Sequence, residues 1–129
     1  MASGILITAI SSGSGKTAAA CALMAAYQAQ NKKVSSCKCG PDYIDPMFHK
    51  EVLGVDSKNL DLFFSSEDEL RKEYAKHAAD AELVITEGVM GYYDGMRLDS
   101  VTASSYDVAR TLDIPAVLIL PCKGAALSL

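Results

Sequence analysis

Short apolar runs alternate along this chain with longer stretches of helical composition. The first run, residues 5–10, reads Ile-Leu-Ile-Thr-Ala-Ile and ends in a Ser/Gly loop. A second, partly β-branched, covers 33–39; a third covers 83–86 and ends at Glu87-Gly88; a fourth covers 115–120. Runs of this length bounded by turn residues predict buried strands. Between them, residues 16–30 predict a helix, because its alanines, Leu23, Met24 and Gln28 are good helix formers and the small residues let it lie close to a sheet. Residues 47–53 predict a short helix, with Asp45 as cap and Pro46 in an early position. Ser66 and Glu69 are spaced as a capping box that opens a helix to about residue 79. Residues 100–112 predict the last helix, and 54–64 and 88–99 predict loops. Strands alternating with helices imply an α/β fold with a parallel sheet flanked by helices. Four strands are few for such a sheet, and the residues from Gly124 read as the opening of a helix, so the chain reads as the front part of a larger protein, truncated after about four strands.

The junction between the first strand and the first helix carries the strongest chemistry. Ser12-Gly13-Ser14-Gly15-Lys16-Thr17 is a glycine-rich loop running into a helix, the setting of a phosphate-binding P-loop. Gly13 and Gly15 let the backbone curl so that successive N–H groups point inward. The helix adds its positive end, Lys16 reaches the outer phosphates, and the Thr17 hydroxyl is placed for Mg²⁺. The strict pattern wants glycine at position 10, which is Ile10; Ala9 is the nearest small residue.

Composition narrows the class. At 129 residues and 50% hydrophobic, the chain has the length and apolar content of one folded domain. No run approaches the ~20 apolar residues of a membrane span, and the amino terminus lacks signal-peptide character, so a soluble, cytoplasmic protein is expected. A dispersed net charge of −4 gives no basis for a nucleic-acid or membrane partner. Cys21, Cys37, Cys39 and Cys122 form no C-x-x-C pair and read as reduced, small apolar residues.

In an open parallel sheet, ligands gather at the carboxyl ends of strands. Asp42 and Asp45 follow the second strand, Glu87 ends the third, and Asp94 lies in the loop after it. Such carboxylates suit a nucleotide site, since Mg²⁺ usually takes one or two of them along with phosphates and water. Lys38, at the second strand's end, reads equally as a stabiliser of transferring phosphoryl charge or as a surface lysine. Tyr43, Tyr92 and Tyr93 read as pocket walls or as packing. His49 has no evident partner and reads as structural. Arg97 reads as pairing with a carboxylate of a substrate or of the protein.

These residues resemble a family. Residues 37–46, Cys-Lys-Cys-Gly-Pro-Asp-Tyr-Ile-Asp-Pro, resemble a signature of the cobyrinic acid a,c-diamide synthases, as do Asn59-Leu60-Asp61 and the run Glu87-Gly88-Val89-Met90-Gly91-Tyr92-Tyr93-Asp94-Gly95. The P-loop matches the family's Ser-Gly-x-Gly-Lys-Thr. Cys37 for Phe, Ala9 for Gly and Tyr92 for Leu are departures. The resemblance implies a dethiobiotin synthase-like P-loop domain that uses ATP and Mg²⁺ to activate the a and c carboxylates of cobyrinic acid, in cobalamin biosynthesis. A C-terminal glutaminase domain, not present in these 129 residues, would supply ammonia from glutamine. On the mechanism expected here, Lys16, Lys38, Asp45 and Asp94 serve catalysis and Ser12 to Thr17 hold the nucleotide. Asp42, Tyr43, Asp45 and Tyr92 go to the substrate, and Thr17, Asp42 and Glu87 to the metal. The open sheet edge leaves room for a homodimer. Other readings are a different amidoligase, such as cobyric acid synthase or dethiobiotin synthase, a partition or septum-site nucleotide switch, or an inactive fragment. The switches carry an early lysine where this chain has Ser11.

Overall fold

The computed structural model describes residues 3–40 and 44–127; the side chains of Ile44, Asp45, Pro46 and Phe48 also lie outside the described set. The order of elements is β1 (Ser3–Ala9), α1 (Lys16–Ala29), β2 (Val34–Cys39), α2 (Ile44–Leu53), β3 (Ser57–Leu60), α3 (Glu67–Ala78), β4 (Leu83–Glu87), α4 (Ser105–Leu112) and β5 (Ala116–Ile119). The strands form one parallel sheet in the order β3-β2-β4-β1-β5. The expected parallel α/β sheet with flanking helices is present, with five strands rather than four.

Strand alternation sorts the core into two layers. Leu6, Cys37, Cys39, Leu60 and Val84 face α3 and α4, where Leu70, Val108 and Ala109 meet them. Ile7, Val34 and Ile85 face the other way, onto Ala20 and Met24 of α1. The buried stripe of α1 is Lys16, Ala20 and Met24, spaced four apart, so the helix turns its first lysine toward the sheet. The same period of two puts Lys38 and Glu87 on the α1 face. Cys37 and Cys39 point to the opposite face and pack as apolar residues; burial pushes the Cys39 thiol up to about 12. All four cysteines are free.

The structure corrects several boundaries. β3 lies inside the expected loop over 54–64. Its sequence, Ser-Lys-Asn-Leu, has little β character, and its strand geometry comes from pairing with β2 at the sheet edge, where short polar strands are usual. α2 begins at Ile44, so Asp45 and Pro46 lie in its first turn, where proline removes no helical hydrogen bond. α4 begins at Ser105, not at residue 100. Ala103 has φ 62°, and the Ser104 side chain caps the helix by accepting from the Asp107 amide. Residues 121–127 form turns rather than the helix expected from Gly124. No helix among the described residues is long and apolar enough to cross a membrane.

The capping box at α3 is formed as expected. Ser66 Oγ accepts from the Glu69 amide at 3.2 Å, and Glu69 Oε2 accepts from the Ser66 amide at 2.9 Å. Ser66→Ala is expected to lower stability by about 1 kcal/mol, read as a lower urea midpoint with an unchanged slope. An unchanged midpoint would show that the box contributes nothing.

Candidate nucleotide site

The loop from the end of β1 to the start of α1 turns through two left-handed glycines, Gly13 at φ 74° and Gly15 at φ 94°. A Cβ at either would meet nothing within 4 Å. Glycine is therefore required by the backbone torsion, which costs other residues roughly 1–2 kcal/mol, and not by crowding. No side chain caps α1, which leaves its first-turn amides to a ligand at the helix's positive end. A cavity of about 390 Å³ opens above them. Ser12, Gly13, Gly15, Lys16 and Thr17 form one wall, and Lys38, Glu87 and Met90 lie on the other. Ser14 is outside the lining; its hydroxyl is 3.0 Å from that of Ser11.

Lys16 is 7% exposed and lines the cavity. Its Nζ donates to the Ser11 carbonyl at 2.9 Å and to the Met90 carbonyl at 2.8 Å, tying the loop to the segment after β4. Burial holds its pKa below the usual lysine value, with nearby Lys38 acting in the same direction; Glu87 and Asp94 oppose the shift. The ammonium is thus held by two neutral carbonyls and faces a second cation across the cavity, an environment that favours an arriving anion.

Below the loop lies a buried polar cluster. Lys38 and Glu87 are register partners on adjacent strands. Lys38 Nζ is 2.9 Å from Glu87 Oε1, the two being 4% and 1% exposed, and it also donates to the Gly88 carbonyl at 3.2 Å. This burial overturns the surface-lysine reading. Thr17 Oγ1 donates to the same Glu87 oxygen. Two strand ends, those of β2 and β4, and the first turn of α1 therefore meet at one carboxylate. Asp42, expected beside it, lies outside the described residues, as do Tyr43 and the side chain of Asp45.

Mg²⁺ fits this corner on the chemistry of its donors. Thr17 and Glu87 offer a hydroxyl and a carboxylate in direct contact, and Glu87 Oε2 is buried without accepting a hydrogen bond from any described residue. The described residues contain no cluster of three or more metal-binding side chains. Substrate phosphates and water usually complete the shell of Mg²⁺.

The loop after β4 shapes the other side. The Gly91 amide donates to Asp94 Oδ2 at 2.9 Å, and a Cβ on Gly91 would lie 2.6 Å from the Ile10 carbonyl. Asp94 thus closes a turn that packs glycine backbone against the start of the P-loop. The Tyr92 amide donates to the Ala9 carbonyl at 2.8 Å, and its ring packs edge-on to Tyr106 with centroids 5.7 Å apart. A second cavity, of about 450 Å³, opens between this loop and β5, lined by Ile10, Tyr92, Tyr93 and Asp94 among others. Arg97 pairs with Asp99 at 3.0 Å, the intraprotein partner among those expected.

His49, read as structural with no evident partner, has partners in the fold. His49 is fully buried on α2, with Nδ1 2.9 Å from Ser36 Oγ and Nε2 3.7 Å from Glu87 Oε2. The signal available was a histidine one helical turn after Asp45, on a helix leaving the same strand end.

Together, the uncapped glycine loop, the inward lysine and the acid–base pair at the strand ends define a P-loop nucleotide-binding α/β domain. The chain belongs to the CobQ/CobB/MinD/ParA nucleotide binding domain family, whose profile matches residues 5–118. It is 42% identical over 125 residues to the cobyrinate a,c-diamide synthase of a Synechococcus strain, covering 97% of this chain and 27% of that protein. It is 44% identical over 124 residues to the cobyrinate a,c-diamide synthase of Gloeobacter violaceus, covering 96% and 27%. To the hydrogenobyrinate a,c-diamide synthase of Agrobacterium fabrum it is 40% identical over 121 residues, covering 93% and 28%. The chain therefore spans little more than a quarter of the length of these relatives, and their names agree with the family that the sequence motifs resemble.

Proposed function

We propose that this domain is the ATP-binding part of an amide synthase that converts the a and c carboxylates of cobyrinic acid to carboxamides in cobalamin biosynthesis. The observation that carries the reading is the contact of Thr17, Lys38 and Glu87 beneath a P-loop whose lysine faces the same cavity. The names of the relatives supply the substrate class.

In this reading the triphosphate lies along the 12–17 loop, held by backbone amides and by Lys16. Thr17 and Glu87, with Asp42, hold Mg²⁺, which when bound neutralises phosphate charge. A substrate carboxylate oxygen attacks the γ-phosphorus, the bond to the β-phosphate oxygen breaks, and ADP leaves with that electron pair. Ammonia, derived from glutamine by a glutaminase domain, then attacks the acyl carbon of the acyl phosphate. A C–N bond forms, phosphate departs, and the nitrogen loses a proton. A carboxylate nucleophile needs no general base, so catalysis consists of positioning and charge neutralisation. Lys16 and Lys38 neutralise the transferring phosphoryl group. Asp45, Tyr43, Tyr92 and Asp94 orient the acid and the incoming ammonia.

The test is incubation of the protein with MgATP, ammonium and either cobyrinic acid or hydrogenobyrinic acid, the latter included because of the Agrobacterium relative's name. Mass spectrometry is expected to show acids replaced by carboxamides together with release of phosphate. ATP-independent product, or phosphate release with no amide on either acid, would overturn the assignment.

A further inference from the structure

Glu87 has two oxygens with different surroundings. Oε1 takes Lys38 and Thr17. Oε2 faces the ring of His49, with Nε2 at 3.7 Å, a distance suited to electrostatic attraction and longer than a hydrogen bond. The other ring nitrogen is anchored. Ser36 Oγ is 2.9 Å from Nδ1 and Ser57 Oγ is 3.3 Å from it, and the two hydroxyls are 3.0 Å apart. We assign the ring proton to Nε2, because a carboxylate beside that nitrogen favours an N–H there, leaving Nδ1 to accept from a serine hydroxyl. The ring is thus fixed by two strands, β2 and β3, and aimed at a carboxylate on a third.

We propose that His49 is a positioning residue for Glu87, fixing Oε2 so that this oxygen is presented to the cation that accompanies the nucleotide. The inference rests on the nucleotide reading above. Outer-shell partners of this kind orient metal-binding carboxylates, and their loss typically weakens metal binding by roughly 10–100-fold. The competing role is a clasp that holds α2 to β2 and β3 through the serine contacts alone.

Two substitutions separate these roles. His49→Asn keeps a polar group near the position of Nδ1 but does not reach Glu87. His49→Gln places an amide near the position of Nε2. Calorimetric titration with ADP is run with Mg²⁺ and with EDTA. His49→Asn is expected to weaken the Mg²⁺-dependent affinity roughly 10–100-fold while leaving metal-free ADP binding unchanged, and His49→Gln is expected to recover most of the loss. Equal losses in both variants, or losses that do not depend on Mg²⁺, would overturn the proposal in favour of the clasp. If either variant fails to fold, the wild-type protein decides. It has two histidines, so the ¹⁵N ring signals of His49 can be assigned by comparison with His77→Gln. They should move when Mg²⁺ joins bound ADP; signals that respond to ADP alone and not to the metal would overturn it. Wild-type protein that binds no nucleotide under either condition refutes the nucleotide reading itself, an outcome distinct from failure of the histidine's role.

Discussion

Lys16→Ala is expected to reduce nucleotide-dependent turnover by at least about 100-fold, the scale seen when one preorganised charge-stabilising donor is removed from a site. Its ammonium is largely buried, projects from the first residue of α1 into the cavity, and is held by the carbonyls of Ser11 and Met90. Those bonds hold the side chain over the loop until phosphate oxygens, which are charged acceptors, replace them. Alanine loses the charge and leaves the carbonyls to water, so the folded state should lose only about 1 kcal/mol. Lys16→Arg should rescue poorly, since a planar five-donor fork cannot take the place of a compact ammonium between two carbonyls. The check is phosphate release and calorimetric affinity in the same preparations. Near-wild-type values in Lys16→Ala would place the nucleotide elsewhere.

Lys38→Met carries the second large effect, and it falls on stability. Lys38 and Glu87 form a buried ion pair. Removing one partner of such a pair leaves a charge in a low-dielectric setting and is destabilising by about 3–5 kcal/mol. That is a large share of the roughly 5–15 kcal/mol that holds a domain together. Methionine keeps the length of the side chain and much of its packing, so the loss reports charge rather than volume. Adding Glu87→Leu to Lys38→Met should recover much of the loss, because the stranded carboxylate is gone. Denaturant midpoints of the single and double variants measure this directly. A single variant within about 1 kcal/mol of wild type would mean that the pair is not compensated as described.

The P-loop was legible because its signal is local: two glycines, lysine and threonine at a strand-to-helix change of period. The parallel sheet with flanking helices was legible from short apolar runs alternating with stretches of helical composition. Four features were not. β3 carries Ser57, Lys58 and Asn59, so Leu60 was the single apolar trace of its pairing with β2. The start of α4 was hidden because residues 100–104 share the Ser/Thr composition of a cap, while the cap itself is Ser104. Lys38 was left between a surface lysine and a charge stabiliser because its counter-charge, Glu87, is 49 positions away and opposes it only through the β2–β4 register. The partners of His49 were hidden for the same reason: Ser36 and Ser57 lie on one side and Glu87 on the other, and only the fold brings them together.

The central claim is that the loop amides, Lys16, Thr17 and Glu87 receive a magnesium-bound nucleotide. A crystal structure of the protein with Mg²⁺ and a non-hydrolysable ATP analogue tests it most directly. The account predicts phosphates along residues 12–17, Lys16 Nζ moved from the Ser11 and Met90 carbonyls onto phosphate oxygens, and a cation touching Thr17 Oγ1 on the side of Glu87. Phosphates bound elsewhere, or Lys16 still on both carbonyls with the Glu87 carboxylate turned from the cation, would contradict it.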